Sequence, residues 1–151
     1  MYNGLLHLHN LLRWVILLLL LISIVQAFSA KNNPASGGSL QKTSLYLLIS
    51  AHITLLVGLY QWFAGDLGFK AIQNVGMGEV MKNSASRFWA VEHFSGMLIA
   101  IILITIARGK VKRSAYSAAS WLYLVALIVI LVTVPWPFRA GIGRPWFPGM
   151  H

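Results

Sequence analysis

Apolar residues run through this chain in four long blocks, about 5–28, 44–64, 87–107 and 118–134, separated by short polar stretches rich in glycine, proline or lysine. A helix rises ~1.5 Å per residue, so ~20 apolar residues cross a hydrocarbon core of ~30 Å. Each block is close to that length. The pattern predicts an all-α integral membrane protein, a four-helix up-and-down bundle that uses nearly all of the chain as one domain. An aromatic tail over 135–151, rich in proline and glycine, follows the last span.

The breaks between blocks are read from their chemistry. The stretch 31–39 combines Pro34, Gly37 and Gly38 with Asn32 and Asn33, which interrupts a helix. Thr43 or Ser44 is expected to cap the second span. That span ends at Tyr60, Gln61, Trp62 and Phe63, an aromatic group suited to the membrane interface. Residues 67–85 are too polar to span, and a short surface helix interrupted by Gly76 and Gly78 is expected there. Pro135 and Pro137 flank Trp136 and end the fourth helix. The tail beyond them is too aromatic to float in water, so it is expected to fold back over the mouth of the bundle.

Composition sharpens this reading. Of 151 residues, 58% are hydrophobic and 10% charged, more apolar surface than a water-soluble fold could hide. The net charge of +9 raises nucleic acid as a partner, but the cations sit at span ends and in loops, as membrane proteins place them, so nucleic acid is set aside. Arg108, Lys110, Lys112 and Arg113 form a short loop with no acid. The positive-inside rule puts that loop in the cytoplasm, and alternation puts both termini in the periplasm of a bacterial inner membrane. His7, His9 and Arg13 interrupt the start of the first block, which is therefore read as a retained span and not a signal peptide. With no cysteine, a disulfide, a thiolate metal ligand and thioether-linked haem are all excluded.

Ionisable groups inside spans are costly and usually functional. Here they are His7, His9 and Arg13 on the first span, His52 on the second, and Arg87, Glu92 and His93 on the third. In an up-and-down bundle the start of span one and the start of span three share a membrane side. At ~1.5 Å per residue, His9 lies ~6 Å inside its helix end, His93 ~9 Å and His52 ~20 Å. The pair that matches in level is His93 with His9 or His7, the arrangement a bis-histidine haem needs. His52 is left to a second cofactor, a proton path, or the ligand role if the span ends are shifted. His7 and His9 point ~200° apart on a helix, so only one faces a given interior, whereas His9 and Arg13 share a face. Arg13, Arg87, Arg139 and Arg144 are candidates for carboxylate pairing, and Glu92 for an ion pair with one of them. The plainer readings are interfacial histidines at His7 and His9, a structural hydrogen bond at His52, and a structural ion pair beside His93. Motifs of zinc proteases, P-loops, dinucleotide folds and desaturases are absent, and three acids cannot build a carboxylate-bridged di-iron site.

The runs G-L-L-H-L-H-N-L-L-R-W (4–14), A-H-I-T-L-L-V-G-L (51–59), R-F-W-A-V-E-H (87–93), I-A-I-I-L-I-T-I (99–106) and V-P-W-P-F-R (134–139) resemble small four-span bacterial membrane proteins labelled cytochrome b or cytochrome b-like. The resemblance covers nearly the whole chain. It implies non-covalent haem b held by transmembrane histidines and points to His7, His9, His52 and His93, with Arg13, Arg87 and Arg139 as supporting cations. The departure is Phe94 after V-E-H, where the pattern implies proline, and a straighter helix start is expected. The expected function is haem b binding and electron transfer, with membrane quinone as a possible exchange partner. The competing expectations are a cofactor-free accessory subunit of a respiratory or secretion complex, or a histidine-bound copper protein. Membrane lipid, other membrane subunits and a second copy of the chain are the expected partners.

Overall fold

The first block forms α1, Tyr2–Asn32, and a 3-10 turn over Pro34–Gly37 reverses the chain into α2, Gly38–Ala64. Two short helices follow, α3 Phe69–Val75 and α4 Met77–Lys82. Then come α5 Ser84–Arg87, a π-helical turn Phe88–Glu92, and α6 His93–Lys112, which together form one uninterrupted helix Ser84–Lys112. The last helix is α7, Tyr116–Thr133. This structure, a computed structural model, describes residues 1–150, all helix and connection with no strand among them. Four helices, α1, α2, α5–α6 and α7, are long and apolar enough to cross a membrane, and the chain is an integral membrane protein.

The helices overrun the apolar blocks. α2 starts at Gly38, well before Thr43 and Ser44, whose hydroxyls donate to the carbonyls of Ser39 at 3.0 Å and Gln41 at 3.2 Å. A hydroxyl satisfied by its own preceding turn does not cap, which is why the expected start was late. Between α3 and α4 the break falls at Gly76, whose φ of +84° suits glycine, while Gly78 sits inside α4.

Around the bundle each helix touches its neighbours in a closed ring, α1 with α2, α2 with α6, α6 with α7, and α7 with α1. α1 and α6 therefore face each other across a diagonal. The half near the 3-10 turn is tightly filled by Leu20, Ser23 and Ala27 of α1, Leu40, Ser44 and Leu47 of α2, Ile104, Ala107 and Val111 of α6, and Ala119, Ser120 and Tyr123 of α7. Their spacings of three and four keep each set on one helix face, and the small residues let the backbones approach. Gln41 locks this end, donating to the carbonyl of Val111 at 2.8 Å and accepting from Arg108 at 3.0 Å. Toward the other end, here called the mouth, no residue of α1 before Ile16 is buried, and the bundle opens.

The tail closes the mouth, as expected. Prolines explain its start. The carbonyls of Leu131 and Thr133 would take the N–H of residues 135 and 137 in a continuing helix, but both are proline and have none. The Trp136 indole donates to Leu131 at 2.8 Å, and Arg139 donates to Val132 at 3.0 Å and Val134 at 3.2 Å. The carbonyls of Leu131, Val132 and Val134 are thus capped by side chains that follow them in the chain, and that of Thr133 is left to another helix. Beyond this turn, Pro145 and Trp146 accept from Arg13 at 3.2 and 2.8 Å, and Trp146 also accepts from the Trp14 indole. Trp14 stacks on Trp146 and Phe147, which pins the tail to α1.

Candidate functional site

A cavity of about 380 Å³ lies between the splayed helices and under the tail. That volume is within the ~300–1,000 Å³ common for cofactor and ligand sites. His9 from α1 and His93 from α6 meet there across the diagonal, their ring centroids 6.3 Å apart and their planes at 69°.

The local structure around His93 orients its ring. A Cβ at Gly96 would overlap the Thr133 side chain, so this glycine lets α6 close on α7. One turn earlier, His93 Nδ1 reaches the Thr133 carbonyl at 2.8 Å, the carbonyl that Pro137 leaves without a helical donor. A carbonyl only accepts, so Nδ1 carries the hydrogen and Nε2 keeps its lone pair. Phe88 and Trp89 flank the ring at 5.7 and 5.8 Å. The π turn just before His93 replaces the straight start expected without a proline. It is braced by Trp62 of α2, whose indole donates to Ala90 at 3.0 Å and stacks on Phe94.

His9 is positioned by absence. A Cβ on Gly58 of α2 would stand 3.2 Å from its Cε1, so the glycine gives this imidazole its close seat against α2. Its Nδ1 is buried without a hydrogen-bond partner, as are Asn10 Oδ1, Arg13 Nε and the amide nitrogen of Gln61. All four residues line the cavity. Unpaired buried polar atoms are costly, and these four converge on one cavity.

Charge adds to this. The three acids of the chain are paired elsewhere, Asp66 with Lys70 at 3.8 Å, Glu79 with Lys82 at 2.7 Å and Glu92 with Arg87 at 2.7 Å. Arg13 and Arg144, which both line the cavity, pair with no carboxylate among the described residues; they rest on aromatic faces, Arg13 on Trp14 and Arg144 on Trp89. Two cations with no acidic side chain among the described lining residues suit an anionic ligand.

The other expected residues are distributed as follows. His7 lines the cavity but is exposed. His52 is exposed on the outer side of α2, donating from Nδ1 to Leu48 at 2.8 Å, and is not brought to His9 or His93. Arg87 is taken up by Glu92 and by the carbonyl of Met81 at 2.9 Å. Arg139 caps α7 and lies over Phe88, outside the cavity lining. Asn10, Gln61 and the Thr133 carbonyl were not expected. Only the last had a signal in the sequence, the proline four residues on. Among the described residues no group of three or more His, Asp or Glu converges as a metal cage.

Fold and site together define a four-helix membrane bundle with a diagonal histidine pair in a cationic, largely apolar cavity under a tail. Compared with known proteins, the chain matches no family model, no curated protein and no solved structure.

Proposed function

We propose that the protein binds one haem b in this cavity and transfers electrons in the membrane, as the resemblance to cytochrome b-like proteins implies. The observation that carries the reading is the His9–His93 pair. The two imidazoles, their ring centroids 6.3 Å apart inside the cavity, would hold the iron, for which histidine is a common ligand in haem proteins.

The remaining residues fit the group. His93 offers Nε2 because the Thr133 carbonyl holds the proton on Nδ1, a contact that also raises the basicity of a ligand. Arg13 and Arg144 supply charge for the two propionates. Trp89, Phe94, Met97 and Ile101 give the apolar wall that a macrocycle needs and keep the dielectric low. Haem, when bound, supplies a one-electron iron couple whose potential such surroundings tune. Membrane quinone is the exchange partner most compatible with a site inside the bilayer. The cation run 108–113 favours a bacterial inner membrane with the mouth on the periplasmic side.

A second reading, a cofactor-free accessory subunit, draws on the same His93–Thr133 hydrogen bond taken as a cap that ties α6 to α7. A reduced-minus-oxidised visible spectrum, with haem quantitation and metal analysis, separates the two. Haem b in the purified protein, lost in His9→Ala and His93→Ala and kept in His52→Ala, is expected. A colourless protein from haem-sufficient cells contradicts the haem reading, and copper in its place turns it to a copper site.

A further inference from the structure

The tail divides at Arg144. Up to that point its backbone is tied to itself, with the N–H of Arg139 on Trp136 at 3.0 Å and those of Gly143 and Arg144 on Arg139 and Pro135 at 2.9 Å. Gly143 belongs to this turn, because a Cβ there would stand 2.7–3.0 Å from three of its carbonyls. Over 145–150 the one backbone bond is internal, Met150 to Phe147 at 3.4 Å. One stretch of α1 holds this segment. Asn10 and Arg13 donate to the Pro145 carbonyl at 3.3 and 3.2 Å, and Arg13 and Trp14 to that of Trp146 at 2.8 and 2.6 Å. Phe147 and Pro148 then lie over the cavity. A roof hung from the side chains of one helix can open without unwinding a helix or the turn before it.

Arg13 is at once the main latch of this roof and a cation of the cavity. Both of its tail bonds leave from Nη2, and two carbonyls occupy both hydrogens of that nitrogen. Nε, on the same edge of the guanidinium, is buried and has no partner. A carboxylate meets arginine most strongly across such an edge, with one oxygen on Nε–H and the other on an Nη–H. An anion that takes this fork must therefore displace a tail carbonyl, and its charge favours the exchange.

We infer that residues 145–150 are a lid latched on Arg13, and that an anionic ligand releases it by taking Nε and Nη2 together. The inference rests on the reading of Arg13 as the partner of the ligand's anionic group. Lid and ligand then compete for one side chain, so a weaker latch means a tighter ligand. A tail that clamps its ligand has the opposite sign.

Trp14→Phe tests the sign. Trp14 does not line the cavity, and the substitution keeps an aromatic ring against Trp146 and Phe147 while removing the indole donor. Two probes serve, ferric haem with its two propionates, followed by its spectrum, and dodecanoate, an apolar chain with one carboxylate, followed by calorimetry. Trp14→Phe is expected to bind each about two- to tenfold more tightly than the wild type, the effect of one lost hydrogen bond on the competing state. In the wild type, saturating either probe should speed cleavage within 140–150 by a broad-specificity protease severalfold. In Arg13→Gln cleavage should be fast without a probe and no faster with one. Equal or weaker binding by Trp14→Phe, slower cleavage on adding a probe, or failure of both probes to bind overturns the lid. Dodecanoate acting with these signs in a protein that takes up no haem removes the haem reading and keeps the lid.

Discussion

A carbonyl that a helix cannot use decides the orientation of His93. Thr133 loses its in-helix donor because residue 137 is proline, and the imidazole fills the vacancy at 2.8 Å. Pro135→Ala combined with Pro137→Ala lets α7 run on and satisfy Thr133 within the helix. Haem affinity, measured by titration of the apoprotein, is expected to fall about 10–100-fold, the usual effect of losing a partner that orients a ligand. Gly58 has the matching part for His9. A Gly58→Val side chain enters the space of the ring, so haem binding should be lost while the helical circular dichroism stays as in the wild type. The sequence indicates that His9 and His93 share a level, since depth depends only on residue count. It does not indicate that His52 turns away, because a helix apolar all round has no pattern to distinguish its inner face.

At the scale of elements, the π turn and the tail do what regular helices could not. In an α-helix Arg87 and Glu92 point ~140° apart, whereas the wider turn brings residues five apart together, and their ion pair closes at 2.7 Å. The pairing of Glu92 with an arginine was legible from the sequence, but the turn that permits it was not. Gly96→Val pushes α6 off Thr133 and is expected to cost about 1–3 kcal/mol of stability in detergent, as overpacking at a close contact does. The tail is tied down by Arg13 and Trp14 through the carbonyls of Pro145 and Trp146. Trp14→Ala removes one donor and the ring on which Trp146 and Phe147 stack. Protease cleavage within 140–150 should become faster in that variant, and unchanged protection would show that the stack does not hold the tail.

The whole molecule divides its work along the membrane normal. One half of the bundle is close-packed on small residues and leucine, and the other is held open by Gly58, by the π turn and by the tail. Leu20→Ala in the packed half should cost about 2–5 kcal/mol. Leu18→Ala, on the outward side, should cost little, since lipid is as apolar as leucine. The four spans and the returning tail could be read from block lengths and from Pro135 and Pro137. The diagonal placement could not, because it depends on the order of the helices around the ring, which long uniform faces leave unspecified.

The central claim is that two imidazoles from opposite corners of the bundle bind one iron. Electron paramagnetic resonance of the oxidised, haem-loaded protein tests it most directly. Two nitrogen ligands predict a low-spin ferric signal in the wild type and in His52→Ala that is lost in His9→Ala and in His93→Ala, with any haem still held by the remaining imidazole turning high-spin. A high-spin wild type, or a low-spin signal that survives in both His9→Ala and His93→Ala, would contradict the account.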